Sequence, residues 1–70
     1  MQTKSSAISY QGKRIVVTAS QAGAENSAQV TSIEIDGEPL AFVPGDIEPG
    51  DTLDDAIENG IRTAISMVDY

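Results

Sequence analysis

The stretch that decides the fold is GDTLDDAIENGIRTAISMVD, residues 50–69. Its aliphatic and small residues recur every three or four positions, which places them on one side of an α-helix. That side comprises Leu53, Ala56, Ile57, Gly60, Ile61, Ala64, Ile65 and Val68. Thr52 can cap the first turn, and Asp54 and Asp55 follow it where the helix dipole favours acids. The pattern predicts an amphipathic helix over residues 52–69.

Gly60 is an unusual residue for the apolar side of this helix. A glycine inside a helix costs up to about 1 kcal/mol relative to alanine. We therefore predict that Gly60 allows the helix to approach a neighbouring element closely, with a functional hinge as the alternative.

Before residue 50 the apolar pattern has a period of two, which is typical of β-strands. Ile15 and Val17, for example, alternate with polar and smaller residues. Gln11-Gly12 and Asp36-Gly37 are suited to two-residue turns. These signals predict strands at about residues 6–10, 13–20, 28–35 and 38–43.

Two-residue turns also fix which residues lie opposite each other. A turn at Gln11-Gly12 places Ile8 opposite Ile15. A turn at Asp36-Gly37 places Glu34 opposite Pro39 and, further along, Thr31 opposite Phe42. Glu34 and Pro39 would form a pair without backbone hydrogen bonds, so Pro39 is suited to an edge strand.

The predicted fold class is α+β, in a single domain of residues 1–70. An antiparallel four-stranded meander sheet, with a three-stranded one as the alternative, has the C-terminal amphipathic helix packed on one face. Thr31, Ile33 and Ile35 are predicted to share the inner face of the third strand. The predicted core comprises Ile8, Tyr10, Ile15, Val17, Ile33, Leu40, Phe42, Leu53, Ile57, Ile61, Ala64, Ile65 and Val68.

Composition narrows the chemistry available to these 70 residues. The chain has no cysteine and no histidine, which removes thiol nucleophiles, imidazole bases, disulfides and Cys or His zinc sites. It has no tryptophan, two tyrosines and one phenylalanine, so few rings are present to stack on bases. We expect no cofactor and no catalytic residues.

Charge also limits the partners. Four basic residues and eleven acidic ones give a formal net charge of −7, which repels nucleic-acid phosphates. No segment approaches the roughly 20 apolar residues of a membrane span, and residues 1–10 do not resemble a signal peptide. We therefore expect a cytoplasmic protein that binds neither nucleic acid nor membranes.

The acidic residues are concentrated in the second part of the chain. Residues 1–24 hold three bases and no acid, whereas residues 25–70 hold all eleven acids and Arg62. An acidic surface can bind a basic protein, or it can simply keep the molecule soluble. If it binds a partner, the candidate residues are Asp54, Asp55 and Glu58, with Arg62 four residues after Glu58.

The carboxylates between residues 46 and 58 also raise two other possibilities. They do not follow the ligand spacing of a calcium-binding loop, so only weak divalent binding is considered. A pair of carboxylates can act as general acid and base if one is held in an apolar pocket. These carboxylates lie in a polar segment, so neither divalent-cation binding nor general acid-base catalysis is favoured.

The predicted second face of the sheet carries three valines, Val16, Val30 and Val43, among polar residues. Such a mixed surface is consistent with a partner site or with an ordinary solvated face. A homodimer could form through this open face or through an edge strand.

Part of the chain resembles HicB-like antitoxins. The resemblance rests on Ile33-Glu34-Ile35-Asp36-Gly37, on Ala41-Phe42-Val43-Pro44, and on the helix start Gly50-Asp51-Thr52-Leu53-Asp54-Asp55-Ala56-Ile57, and it continues to Ala64-Ile65. It implies that the acidic residues neutralise a small basic RNase toxin. The overall order of elements is also similar to that of short bacterial strand-strand-strand-helix domains of unknown function, which implies no activity.

Three functions therefore follow from the sequence. The first is a non-catalytic, acidic interaction domain that binds another protein. The alternatives are an antitoxin of the HicB-like kind and, least favoured, a small acid-base enzyme that uses carboxylates.

Overall fold

The structure, a computed structural model, describes residues 1–23, 25–42 and 44–69. Four strands form one antiparallel open sheet in the order β1-β2-β3-β4, and helix α1 packs on one face of it, mainly over β2 and β3. The elements are β1 Gln2–Tyr10, β2 Lys13–Gln21, β3 Gln29–Ile35, β4 Glu38–Pro39, a short 3₁₀ helix Pro44–Asp46, and α1 Leu53–Asp69. The predicted α+β meander with a C-terminal helix is confirmed.

Both hairpins turn at the predicted dipeptides. The φ angles are 50° and 78° at Gln11 and Gly12, and 53° and 84° at Asp36 and Gly37. Two successive positive φ angles match the right-handed twist of the flanking strands. The predicted register is confirmed close to both turns, because Ile8 lies opposite Ile15 and Glu34 lies opposite Pro39.

Strand β1 begins at Gln2, four residues earlier than predicted. Its first half lacks alternating apolar residues, so hydrophobic periodicity does not reveal it. Hydroxyl pairs join this half to β2, with 3.2 Å between Thr3 Oγ1 and Ser20 Oγ, and 2.8 Å between Ser5 Oγ and Thr18 Oγ1. Cross-strand hydrogen bonds of this kind stabilise a strand whose side chains are polar.

Strand β4 is shorter than predicted and ends at Pro39. The Leu40 N–H still donates to the Ile33 carbonyl at 2.8 Å, after which the chain leaves the sheet. The predicted pairing of Thr31 with Phe42 is therefore wrong. Phe42 instead packs against the core from the loop, which also carries Ile47 into the core.

Two further predictions are wrong because β2 and β3 are joined by a β-bulge. Thr18 pairs with Ser32 and the next residue, Ala19, pairs with Val30, which leaves Thr31 as an extra residue. An inserted residue exchanges the two faces of a strand. Thr31 is consequently exposed, and Val30, predicted on the open face, is buried on the helix side with only 4% of its surface exposed.

The core lies between the sheet and α1. Its buried members are Ile15, Val17, Ala19, Ala28, Val30, Ile33, Ile47, Ala56, Ile57 and Ala64. Every residue of the predicted core is either in this set or packed against it with part of its surface exposed. Five buried residues are not in the predicted core, namely Ala19, Ala28, Val30, Ile47 and Ala56.

Helix α1 approaches the sheet closely at Gly60. A Cβ atom at this position would lie 2.7 Å from Val17 Cγ1 and 3.0 Å from Val30 Cγ2. The predicted structural role of Gly60 is confirmed, since a Cβ atom at this position would force α1 or these valines to shift.

Replacing Gly60 by alanine should therefore destabilise the protein. Alanine gains up to about 1 kcal/mol of helix propensity, but overpacking a core costs about 1–3 kcal/mol. We expect Gly60→Ala to lower the free energy of unfolding measured in urea. Ser66→Ala, at an exposed position of the same helix, is the control and should be neutral or stabilising. Equal stabilisation by both substitutions would contradict the close-packing argument.

Candidate interaction surfaces

The first surface is the acidic helix face, which we define as Asp54, Asp55 and Glu58 together with Arg62. All four residues are exposed and lie on the first three turns of α1. Thr52 caps this end, because its Oγ1 accepts a hydrogen bond from the Asp55 N–H at 3.2 Å. Asp54 and Asp55 lie in the first turn, where the helix dipole stabilises negative charge, so their position also has a purely structural benefit.

Two ion pairs cross the acidic helix face. Lys4 Nζ on β1 lies 2.6 Å from Asp54 Oδ1, and Arg62 lies 2.6 Å from Glu58 Oε1. The Asp54 and Glu58 side chains are nevertheless 75% and 60% exposed. Ion pairs this exposed contribute about 0–1 kcal/mol each, so both acids remain accessible to another cation.

The basic residues are largely used within the chain itself. Lys4 and Arg62 form the pairs above, and Lys13 Nζ lies 3.8 Å from Asp36 Oδ2. Among the described residues, Arg14 is the one basic side chain outside these pairs, and eight of the eleven acids have no ion-pair partner. The charge left for other molecules is therefore almost entirely negative.

The carboxylates do not assemble into a site for metal or acid-base chemistry in the part of the chain that the structure describes. There, no three carboxylates are grouped closely enough to hold a metal ion, and no charged or polar side chain is buried. A carboxyl group acquires the raised pKa of a general acid mainly through burial.

The second predicted surface, the valine patch on the open sheet face, does not form as expected. Val16 is half-buried on that face between Ala7 of β1 and Glu34 of β3. Val30 lies in the core, and Val43 is outside the described residues. Because only Val16 is placed on the open face, the structure does not bring the three valines together.

A polar cluster that the sequence does not reveal joins the first hairpin to the end of α1. The Tyr10 hydroxyl donates to both carboxylate oxygens of Asp69, at 2.9 and 2.8 Å, and Gln11 Nε2 donates to Asp69 Oδ1 at 3.2 Å. The hydrogen bond to Asp69 raises the pKa of Tyr10, with further contributions from desolvation and from the carboxylate charge. No local signal links these residues, which lie far apart in the sequence.

An open hollow of about 370 Å³ lies between the loop after β4 and the second half of α1. Its lining is mainly apolar and comprises Ala41, Phe42, Asp46, Ile47, Thr63 and Met67. The volume is at the lower end of the range for ligand sites. Asp46 supplies its only charge among the described lining residues, so the hollow has no group of converging polar side chains to orient a ligand.

Comparisons with family models, with curated proteins and with solved structures found no match. They therefore lend no support to the local resemblance to HicB-like antitoxins. In the part of the chain that the structure describes, no helix has the length and apolar character needed to cross a membrane.

The Tyr10–Asp69 contact predicts a specific response to alkaline pH. Since folding raises the pKa of Tyr10, the contact stabilises the fold below the usual tyrosine pKa of about 10. This stabilisation is lost as the pH rises through the folded-state pKa. Wild-type protein should thus lose stability relative to Tyr10→Phe above about pH 10.

The direct measurement is a phenolate absorbance titration. The chain has two tyrosines, so the difference between wild type and Tyr10→Phe isolates Tyr10. Its midpoint should lie above about 10 and should shift back toward that value in Asp69→Asn. A midpoint that Asp69→Asn leaves unchanged would contradict the proposed cause.

Proposed function

We propose that this protein is a non-catalytic interaction domain that binds a basic protein partner through the acidic helix face. The observation that carries this proposal is the distribution of ion pairs. The chain's own acids already engage three of its four basic residues, and eight acids are left without an ion-pair partner among the described residues.

Exposed ion pairs are well suited to exchange between partners. Lys4 and Arg62 gain little from Asp54 and Glu58, because water screens both pairs. A lysine or arginine of a partner can replace either of them at small cost. The negative field also accelerates the encounter with a basic surface, and added salt weakens this effect.

The remaining parts of the proposal follow from composition and burial. The absence of buried charged or polar side chains among the described residues favours binding over catalysis. A net charge of −7 disfavours nucleic acid as the partner. We place the protein in the cytoplasm and assign it no cofactor.

The partner named by the HicB-like resemblance is a small basic RNase. This alternative uses the same acidic helix face and differs only in what is bound. A gene for a small basic protein next to the gene for this chain would favour it, whereas an isolated gene would count against it.

Affinity capture from native lysate at low salt tests the proposed function. Immobilised wild-type protein should retain a basic protein, which mass spectrometry identifies and salt releases. A variant that combines Asp54→Asn, Asp55→Asn and Glu58→Gln should no longer retain this basic protein. Circular dichroism must show that this variant is folded, because it also loses acids that stabilise the start of α1.

The matched control carries Glu25→Gln, Glu34→Gln and Glu38→Gln, which remove the same charge outside α1. It should retain the partner as the wild type does. Loss of binding in both variants would indicate general charge attraction instead of a defined surface. Retention of no protein at low salt would contradict the proposal.

A further inference from the structure

The two edges of the sheet differ in how they are protected. Strand β4 has two residues, one of which is Pro39, and it carries an exposed acid at Glu38. Strand β1 forms the other edge with nine residues, contains no proline or glycine, and pairs with β2 without a bulge. Short length, proline, bulges and charge are the usual devices that prevent an edge from pairing. The edge of β4 has three of them, whereas β1 has only the charge of Lys4.

Lys4 does not protect the edge of β1 in this structure. It is the one charged residue of the strand, and its ammonium group lies 2.6 Å from Asp54 on α1. The charge is therefore directed across the helix-covered face of the sheet. The outer edge of β1 is left with neutral side chains.

The backbone groups on that edge can be assigned from the register. Tyr10 and Lys13 flank a two-residue turn, which makes them a hydrogen-bonded pair, and such pairs alternate with non-bonded ones along the ladder. The non-bonded positions of β1 direct their N–H and C=O groups away from β2. These positions are Thr3, Ser5, Ala7 and Ser9, all of which are exposed and small.

We propose that two copies of this chain pair through their β1 edges, antiparallel and around a two-fold axis at Ser6. This register places Ser5 opposite the partner's Ala7, and Thr3 opposite the partner's Ser9. All four outward-facing residues of each copy then form hydrogen-bonded pairs. The two sheets become one continuous sheet, with both helices on the same side.

Charge and side-chain chemistry favour a second copy over another strand. Each chain carries −7 overall, and residues 1–24 are the acid-free part of it, so β1 is where two copies approach with least repulsion. Lys4 comes to lie opposite the partner's Ile8, whose half-exposed side chain its aliphatic stem can cover. An acidic peptide strand gains little, because Lys4 is the one charged residue of β1 and its ammonium group lies beside Asp54 on the helix-covered face.

The proposed assembly contains two copies and cannot add further ones by the same pairing. Each copy uses its open edge once, and the outer edges of the resulting sheet are the two protected β4 strands. A two-fold interface of this kind is closed, so the pairing produces a dimer instead of a fibre.

Sedimentation equilibrium combined with amide hydrogen exchange tests the proposal. At protein concentrations up to about 1 mM we expect a dimer, favoured by added salt, which screens the repulsion between the two chains. In the dimer, the N–H groups of Thr3, Ser5, Ala7 and Ser9 should be protected from exchange, and dilution should remove this protection. A monomer throughout this range, or a dimer whose four amides exchange freely, would overturn the proposal.

Two substitutions locate the interface. Ala7→Pro removes an outward N–H without removing a bond to β2, and it should raise the dissociation constant of the dimer about tenfold. If Ala7→Pro does not fold, Ser5→Glu is the second variant, because it places two carboxylates on neighbouring positions around the two-fold axis, and it should also raise that constant.

Ser32→Glu is the matched control, since it adds the same charge to the open face at β3, away from the edge. It should leave dimerisation nearly unchanged. Dissociation by Ser32→Glu but not by Ser5→Glu would place the interface on the open face and overturn the proposal. The dimer and the proposed basic partner respond oppositely to salt, so failure of one is distinguishable from failure of the other.

Discussion

The structure depends on how closely α1 approaches the sheet at Gly60. The contact requires two conditions together, a residue without a side chain on the helix and apolar side chains beneath it. Val17 supplies one of these side chains through ordinary alternation along β2, and Val30 supplies the other only because the bulge at Thr31 turns it inward. Without the bulge, the hydroxyl of Thr31 would lie on the helix side. The irregularity of β3 is therefore part of what makes the helix–sheet interface apolar.

Local signals explain why much of this fold is predictable from sequence. A helix with a cap and an apolar stripe, and two hairpins with suitable turn residues, are specified by residues within a few positions of one another. The bulge and the early end of β4 depend instead on packing between distant segments, and periodicity alone cannot report an inserted residue. For this reason the period-two pattern predicts the wrong faces for Thr31 and Val30 and the correct face for Ile33 on the same strand.

The same distinction applies to the candidate surfaces. Asp54, Asp55 and Glu58 could be placed on an exposed helix face because that face follows from the helical period. The ion-pair partner of Asp54 could not be predicted in this way. Lys4 lies close to Asp54 only because the sheet and the helix packed on it bring β1 beside the start of α1. The contact between Tyr10 and Asp69 is of the same type, because it joins the first hairpin to the last turn of α1. Contacts of this kind show which charged groups are already paired within the chain. Composition alone does not give this information.

Lys4 links the acidic helix face to the open edge of β1. Its ammonium group binds Asp54 on the acidic helix face, and this contact is also what keeps its charge away from the edge of β1. If a basic partner displaces Lys4 from Asp54, the released ammonium can move toward the edge, where a lysine opposes strand pairing. Binding of such a partner and pairing of two β1 strands would then weaken each other, and by thermodynamic linkage by the same factor in both directions. A single weak, exposed ion pair can connect the surfaces in this way because neither of its residues is held by burial.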